Sequence, residues 1–473
     1  MNKIILFFLL LPFSLLAQQV EVYFDLAIDT NDTESTSDND LLPASFFAKN
    51  RAALRSLMPR NSVAVLFANP VRNRSNDVDF EYHQDPNFYY LTGLTEPHAA
   101  LIIYKEDQEF KEDLKTNEIL FLQKKDKRNE RWTGIRLGVI EAVNRLGIKT
   151  AMENEKFLLF ENDYEHFDKI LSFKSDGDIK NTTSKSDLYG LLQSFKFATQ
   201  NLKNTDESDL PQIMATLRQV KSEEEIVLMR KAIKITCDAQ IELMKALKPG
   251  MKEYQSEAIV EYVFKKNGAE HPGFPSILGG GENSCILHYD KNRKQLKEED
   301  LLVIDIGAEY HGYSADVTRT LPVDGHFSEE EKIIYNIVLK AQQAGIDSCK
   351  VHNKFWIPHR AATKIITDEL IALGIIKERY HVQRYFMHGT SHYLGLDVHD
   401  PGLHGALKPG NVITVEPGIY IPEGADCDPK WWNIGIRIED DILITNEGPD
   451  NLSAKAPRTI EEIEALMKEE GAF

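Results

Sequence analysis

The chain has 473 residues, 42% of them hydrophobic and 27% charged, and carries a formal net charge of −19. That length exceeds one ordinary core and predicts two domains, with the composition of a soluble globular enzyme. An acidic surplus of this size excludes a nucleic-acid grip, which needs a basic face.

The chain opens MNKIILFFLLLPFSLLAQQ. Lys3 gives a short positive region, residues 4–16 an apolar run broken by Pro12, and Ala17 a small residue before polar chain. This pattern predicts a cleavable secretory signal over residues 1–17, with export across an inner membrane into a periplasm. The run is shorter than the roughly 20 residues of a spanning helix, so no stable membrane insertion is expected. Residues 18–42, which include DTNDTESTSDND, lack apolar periodicity and read as a disordered acidic leader. From Pro43, SFFAKNRAALRSLM has helical spacing, and SVAVLFANP, AALIIYK and EILFLQK read as strands. GVIEAVNRLG and NDYEHFDKILSFK, the latter from Asn162, read as helices. Residues 43–209 are therefore expected to form an α/β domain. The polar stretch NLKNTDESDLPQ, with Pro211, marks the boundary, and residues 210–473 form the second domain. That domain opens on a long helix stopped by Pro249-Gly250, with Glu223, Glu224 and Glu225 as a solvated face. The three glycines at 279–281 read as a flexible turn, too weak a signal for phosphate binding. Cys237, Cys285, Cys349 and Cys427 form no CxxC pair, which removes zinc knuckles and redox motifs, and leave at most one incidental disulfide.

The chemistry concentrates between Asp305 and Glu439, in VIDIGAEYHGYSADVTRTL, HGTSHYLGLDVHD, ITVEPGIY and GIRIEDDILIT. Asp305 and Asp316 lie on two strand-like runs and can meet across a ladder. Isolated aspartates more often face solvent, but the apolar run LLVIDIGA belongs to a buried strand. His388 and His392 have the four-residue spacing of a zinc-protease helix, yet Gly389 stands where that motif needs glutamate. With Gly395 it makes a loop the better reading. Glu416 precedes the turn Pro417-Gly418, and Arg437 and Glu439 alternate onto one strand face, which Asp440 and Asp441 need not join. Acidic side chains on such strands are costly to bury without a positive partner. Two carboxylates roughly 4 Å apart repel by about 4 kcal/mol at an effective dielectric near 20. Four carboxylates and one imidazole form a hard, oxygen-rich donor set that suits paired Mn²⁺, Co²⁺ or Zn²⁺ better than one structural zinc.

These segments resemble the catalytic domain of the pita-bread metallopeptidases, an α+β fold shared by methionine aminopeptidase, prolidase and aminopeptidase P. MHGTSHYLGLDVHD and VEPGIY are most similar to the aminopeptidase P branch, and DPNFYYLTGLTEPHAALII, from Asp85, resembles its N-terminal domain. The resemblance implies an aminopeptidase that releases a residue preceding proline, with Asp305, Asp316, His392, Glu416 and Glu439 holding two divalent ions, in this branch Mn²⁺. It implies that a bridging hydroxide attacks the peptide carbonyl, that His288 stabilises the tetrahedral intermediate, and that Glu416 carries a proton to the leaving nitrogen. His399 is implied in catalysis and, with His388, Tyr420 and Arg437, in lining the proline-side pocket. His399 and Tyr420 as structural hydrogen-bonders, and Arg437 as a partner of a ligand carboxylate, are the competing readings. Peptides are the implied partners, and a homo-oligomer, dimer or tetramer, is common among such enzymes. A prolidase restricted to dipeptides, or an inactive binding module of the same fold, are the alternatives.

Overall fold

The structure is a computed structural model that describes residues 40–110, 114–160, 162–174, 179 and 184–473. The expected signal and residues 18–39 of the expected leader lie outside the described residues. Residues 40–42 depart from the leader reading: Leu42 is buried, and Asp40 accepts the Tyr310 hydroxyl at 2.8 Å.

The first half is a mixed sheet between helices. Its elements are α1 (Ala44–Leu57), β1 (Ser62–Phe67), α2 (Pro86–Thr92), β2 (Ala100–Glu109), β3 (Lys115–Leu122), α3 (Gly138–Leu146), β4 (Ala151–Glu153), β5 (Lys169–Ser172), α4 (Leu188–Thr199), β6 (Thr205–Asp206) and α5 (Asp209–Arg218). The strand order is β4-β3-β2-β1-β5-β6, with β1 antiparallel to β2 and parallel to β5. Side chains alternate across a strand, and the central strands bury both faces. Ala64, Leu66, Leu101 and Ile103 enter a core continuous with the second half, whereas Val63, Val65, Ile102 and Ile119 enter another closed by Phe157 and Phe195.

Two sequence expectations are corrected here. NDYEHFDKILSFK is no helix: it makes one 3₁₀ turn, Tyr164–His166, and then β5, whose Ile170 and Leu171 are wholly buried between β1 and β6. A short apolar run reads the same in either state, and pairing with β1 decides it. NLKNTDESDLPQ is structured too, as edge strand β6 and the start of α5, with Pro211 in the first turn where a missing N–H costs little. The expected boundary at 209/210 thus falls inside a helix.

The second half begins with α6 (Glu223–Ala246) and α7 (Glu253–Lys266), followed by β7 (His271–Pro272), β8 (Ile277–Gly280), β9 (Leu301–Ile306), β10 (Ala308–Tyr310), β11 (Tyr313–Ser314) and β12 (Val317–Pro322). Helices α8 (Glu329–Asp347) and α9 (Ile357–Ala372) precede β13 (Val412–Val415), β14 (Gly418–Ile421), β15 (Ile434–Arg437), β16 (Asp440–Thr445) and β17 (Gly448–Asn451). The strands form small antiparallel groups, β8-β9-β12, β11-β10-β7, β13-β16-β17 and β14-β15.

Helix α6 pins the pair that carries the acidic residues. Gln240 Nε2 donates to the carbonyls of Ile304 and Val317 at 3.1 and 2.9 Å, and Thr236 Oγ1 accepts the Ala308 N–H. Glu225 is no solvated face: it is buried, closes a capping box with Ser222 and accepts the Tyr313 hydroxyl. Nor are the three glycines a flexible turn. Gly279 and Gly280 lie in β8, and a Cβ on Gly280 would stand 2.2 Å from Leu296. All four cysteines are free. Among the described residues no helix is long and apolar enough to cross a membrane.

Candidate metal centre

Asp305 lies in β9 opposite Thr318 of β12, and Asp316 immediately precedes β12. The chain can fold this tightly because position 307 is glycine: a Cβ there would sit 1.8 Å from the Ala315 carbonyl oxygen. Glu439 occupies the link between β15 and β16, where its N–H donates to the Thr318 carbonyl and its Oε2 accepts Thr318 Oγ1 at 2.6 Å. His392 stands in a loop, as Gly389 and Gly395 predict, and its N–H reaches Thr414 Oγ1 in β13. Glu416 follows β13, its N–H held by the Thr390 carbonyl.

These five side chains line one cavity of about 540 Å³, together with His288, His388, His399 and Arg437. One ligand atom each from Asp316, His392 and Glu439 lies within 4.8 Å of the others. The imidazole orientation is informative. His392 Nδ1 is 3.0 Å from the Tyr393 carbonyl, which assigns the proton to Nδ1 and leaves a lone pair on Nε2. Nε2 in turn faces Asp316 Oδ2 at 3.4 Å and Glu416 Oε1 at 3.7 Å. A lone pair turned toward two carboxylate oxygens is repulsive unless a proton or a metal cation lies among them.

The hydrogen-bond accounting agrees. Asp305 Oδ1, Asp316 Oδ1, Glu439 Oε1 and Asp441 Oδ1 are buried without a hydrogen-bond partner. Burial, and then the neighbouring charges of Asp305 and Asp441, push the Asp316 carboxyl well above the usual range. Burial and the charge of Asp316 do the same to Glu439. Burial pushes Glu416 up to about 7 against the opposing pull of His392 and Arg437. The cluster cannot be fully ionised on its own. Oxygen-rich donors with orphaned lone pairs fit divalent cations, and these five residues can hold them.

Beside the carboxylates runs a chain of polar contacts. Arg437 Nη2 donates to Asp305 Oδ2 at 2.6 Å and Nη1 to the Tyr420 hydroxyl at 3.0 Å. The Tyr420 hydroxyl donates to His388 Nε2 at 2.8 Å, and His388 Nδ1 donates to the Gly389 carbonyl at 2.6 Å. Burial, followed by the Arg437 charge, lowers the His388 pKa to about 4, so the ring is neutral. Both competing readings of this group have a basis: Arg437 does pair with Asp305, and Tyr420 is a buried hydrogen-bonder that does not itself line the cavity. His288 and His399 are exposed at the cavity, and the His399 ring meets that of His392 edge-on at 4.5 Å.

Asp441 is the residue that sequence reasoning set aside. It is fully buried and its Oδ2 accepts the Asp316 N–H at 3.2 Å. The signal was present, since residues 439 and 441 share a strand face by the same alternation that pairs 437 with 439. Asp440 points the other way, to Arg319 at 2.8 Å.

A family model described as Metallopeptidase family M24 matches residues 227–446, and one described as Aminopeptidase P, N-terminal domain, matches residues 47–163. The Xaa-Pro aminopeptidase of Escherichia coli (strain K12) is 37% identical over 439 residues, which cover 89% of this chain and 97% of that protein. The chain belongs to metallopeptidase family M24, in its aminopeptidase P branch. Human Xaa-Pro aminopeptidase 3 is 31% identical, covering 89% of this chain and 86% of its own. Among solved structures, Pseudomonas aeruginosa aminopeptidase PepP superposes with a TM-score of 0.81 at 34% identity, covering 90% of this chain and 98% of that one. Escherichia coli aminopeptidase P with the inhibitor Pro-Leu gives 0.80 at 35% identity, with the same coverage. The second half of this M24 peptidase is accordingly the pita-bread fold, the enzyme is a metalloexopeptidase, and its family implies divalent metal ions.

Proposed function

We propose that this enzyme releases the N-terminal residue from peptides with proline in second position, using two divalent cations held by Asp305, Asp316, His392, Glu416 and Glu439. The observation that carries the proposal is the meeting of these side chains around buried carboxylate oxygens that have no other partner. Asp316 and Glu439, both within reach of His392, would be the central carboxylates among the residues that hold the ions. The oxygen-rich set favours Mn²⁺ over a softer metal, with Co²⁺ and Zn²⁺ as substitutes. Bound there, the cations supply Lewis-acid polarisation and an acidified water.

The remaining steps belong to the chain itself. His288, at the open side of the cavity, presents a donor to the carbonyl oxygen as negative charge develops on it. Glu416 passes a proton to the proline nitrogen, which leaves as a secondary amine and cannot depart unprotonated. His388 and Arg437 line the side of the cavity assigned to proline, Tyr420 holds their relative positions from behind, and His399 contacts the scissile residue pair.

A prolidase must close off the chain beyond proline, and an aminopeptidase must leave it open. Turnover of Xaa-Pro against Xaa-Pro-Yaa-Zaa tests this: cleavage of the tetrapeptide is expected, and activity confined to the dipeptide overturns the reading. Export and a periplasmic location rest on the pattern of residues 1–17 alone, and N-terminal sequencing of the mature protein, expected to start after Ala17, checks them. Assembly as a dimer or tetramer is part of the same proposal, and light scattering reads it directly.

A further inference from the structure

The segment from His392 to Asp400 is a closed loop. Tyr393 and Asp400 form an antiparallel bridge, with the Asp400 N–H on the Tyr393 carbonyl at 2.9 Å. His392 and His399 flank that neck, which is why rings seven positions apart in sequence meet at 4.5 Å. Whatever fixes the neck therefore fixes His399 against the metal-side imidazole.

What fixes it is a buried ionic network that none of the preceding chemistry uses. The Asp400 carboxylate accepts Arg218 Nη2 at 2.5 Å, Lys221 Nζ at 2.7 Å and the Asp397 N–H at 3.2 Å. Side-chain exposure is 1% for Lys221 and Asp400 and 2% for Arg218. Arg218 also donates to Asp397 Oδ2 and, through Nη1, to Asn87 Oδ1, both at 2.8 Å. Lys221 Nζ closes the ring on the Arg218 carbonyl at 2.7 Å. The loop is packed down onto the pair: a Cβ on Gly395 would lie 2.7 Å from Asp400 Oδ2 and 2.9 Å from Lys221 Cε. Arg218 ends α5, and Asn87 lies in α2 beside the first sheet, so the network joins the first half of the molecule to the loop. Neither cation nor Asp400 lines the cavity. Buried ion pairs are a poor source of net stability, because desolvation offsets most of the attraction, but they fix register well.

We propose that Arg218, Lys221 and Asp400 are positioning residues that act on the reaction through His399, and that the Asn87 contact ties this position to the seating of the first domain. The inference rests on the reading of His399 given above as a group that contacts substrate. A misplacement of about 1 Å can cost up to about a hundredfold in turnover, so a loosened neck is readable in kinetics.

A double-mutant cycle on the metal-loaded enzyme tests it, with kcat, KM, metal content and melting temperature measured on an Xaa-Pro-Yaa peptide. Arg218→Met is expected to lower kcat about tenfold, with KM within about twofold and full metal content. In a His399→Ala background the same change should alter kcat less than about twofold, since the group it positions is gone. Arg218→Lys, which keeps the charge, should recover part of the loss. Should Arg218→Met fail to fold, Asn87→Ala removes a single bond and is expected to lower kcat by a smaller factor, again only when His399 is present. An undiminished effect in the His399→Ala background, or wild-type kcat in Arg218→Met, overturns the proposal. Wild-type kcat in His399→Ala alone overturns the reading of His399 on which it stands, and is distinguishable because it needs no change at Arg218.

Discussion

Asp316 sits where His392 and Glu439 come closest to it, and its Oδ1 is one of the buried carboxylate oxygens without a hydrogen-bond partner. Asp316→Ala removes one of the closest donors and relieves Asp305 and Asp441 of a like charge. The expected outcome is loss of peptidase activity with reduced metal content by elemental analysis. Near-wild-type turnover with two metals bound would remove Asp316 from the centre. His288→Ala is expected to behave differently: kcat falls by about 10²–10³, the usual loss for one oxyanion donor, while metal content holds. A fall in metal occupancy would instead place His288 among the ligands. At this scale the meeting of the five side chains in one cavity was legible in the sequence. Asp305, Asp316, His392, Glu416 and Glu439 each interrupt an apolar strand or a glycine-bounded turn, and such interruptions need a cause. Asp441 was set aside together with Asp440, although strand alternation puts it on the face of Glu439 and the apolar run after it marks the strand as buried.

Between residue and molecule, the strand ends that present these carboxylates are joined by Arg319. Its side chain is fully buried in β12 and donates to the Thr318 and Glu439 carbonyls at 2.8 and 2.7 Å and to Asp440 Oδ1 at 2.8 Å. Those carbonyls belong to the segments that aim Glu439, so Arg319 sets the distance between β12 and the β15–β16 link. Arg319→Met leaves the buried Asp440 with the more distant Arg458, at 3.6 Å, and the neutral donors Gln342, Asn451 and Ser453. The expected loss is therefore at the low end for a broken buried pair, about 3 kcal/mol. Calorimetry should register it as a melting temperature lower by roughly 3–5 °C, the shift such a loss makes in a chain of this length, with weaker metal retention. A melting temperature within about 1 °C of wild type would show that the ladder alone holds the strands. Arg319 carried no sequence signal, since an arginine between threonines on a strand reads as solvent-facing. The same limit explains the misread elements. Helix α1 and strands β1, β2 and β3 are periodic enough to declare themselves, whereas β5 and β8 acquire their state from the neighbours they pair with.

Across the whole molecule, the first half is fastened to the catalytic half by pairs in which the cation is repeatedly histidine. His83 Nε2 meets both oxygens of Glu309 at 3.0 Å, and His311 bridges Glu270 at 2.8 Å and Asp40 at 3.0 Å. Lys231 and the Tyr310 hydroxyl complete the seat of Asp40. The hydrogen bond to Glu309 raises the His83 pKa, burial opposing it. For His311 burial works against the charge, and the bonds to Glu270 and Asp40 outweigh it, so that pKa is raised too. A raised histidine contributes stability that is fully present below its unfolded value near 6.5 and is lost as pH climbs through the folded value. Asp40 behaves oppositely: burial is overcome by Tyr310, His311 and Lys231, its pKa falls to about 2, and its share is lost only as pH drops toward that value. The fastening is therefore strongest from roughly pH 4 to 6.5 and weakens toward alkaline pH. His83 is half exposed, so solvent screening makes its share small, and His311, at 5% side-chain exposure, is the better probe. Melting temperatures of wild type and His311→Gln, followed from pH 5.5 to 9, isolate the effect, because any change in metal retention is common to both proteins. The gap between them should be widest at the acid end and close by pH 9. A gap that stays constant would mean that His311 holds the two halves together by packing and hydrogen bonding alone, with no contribution from its charge.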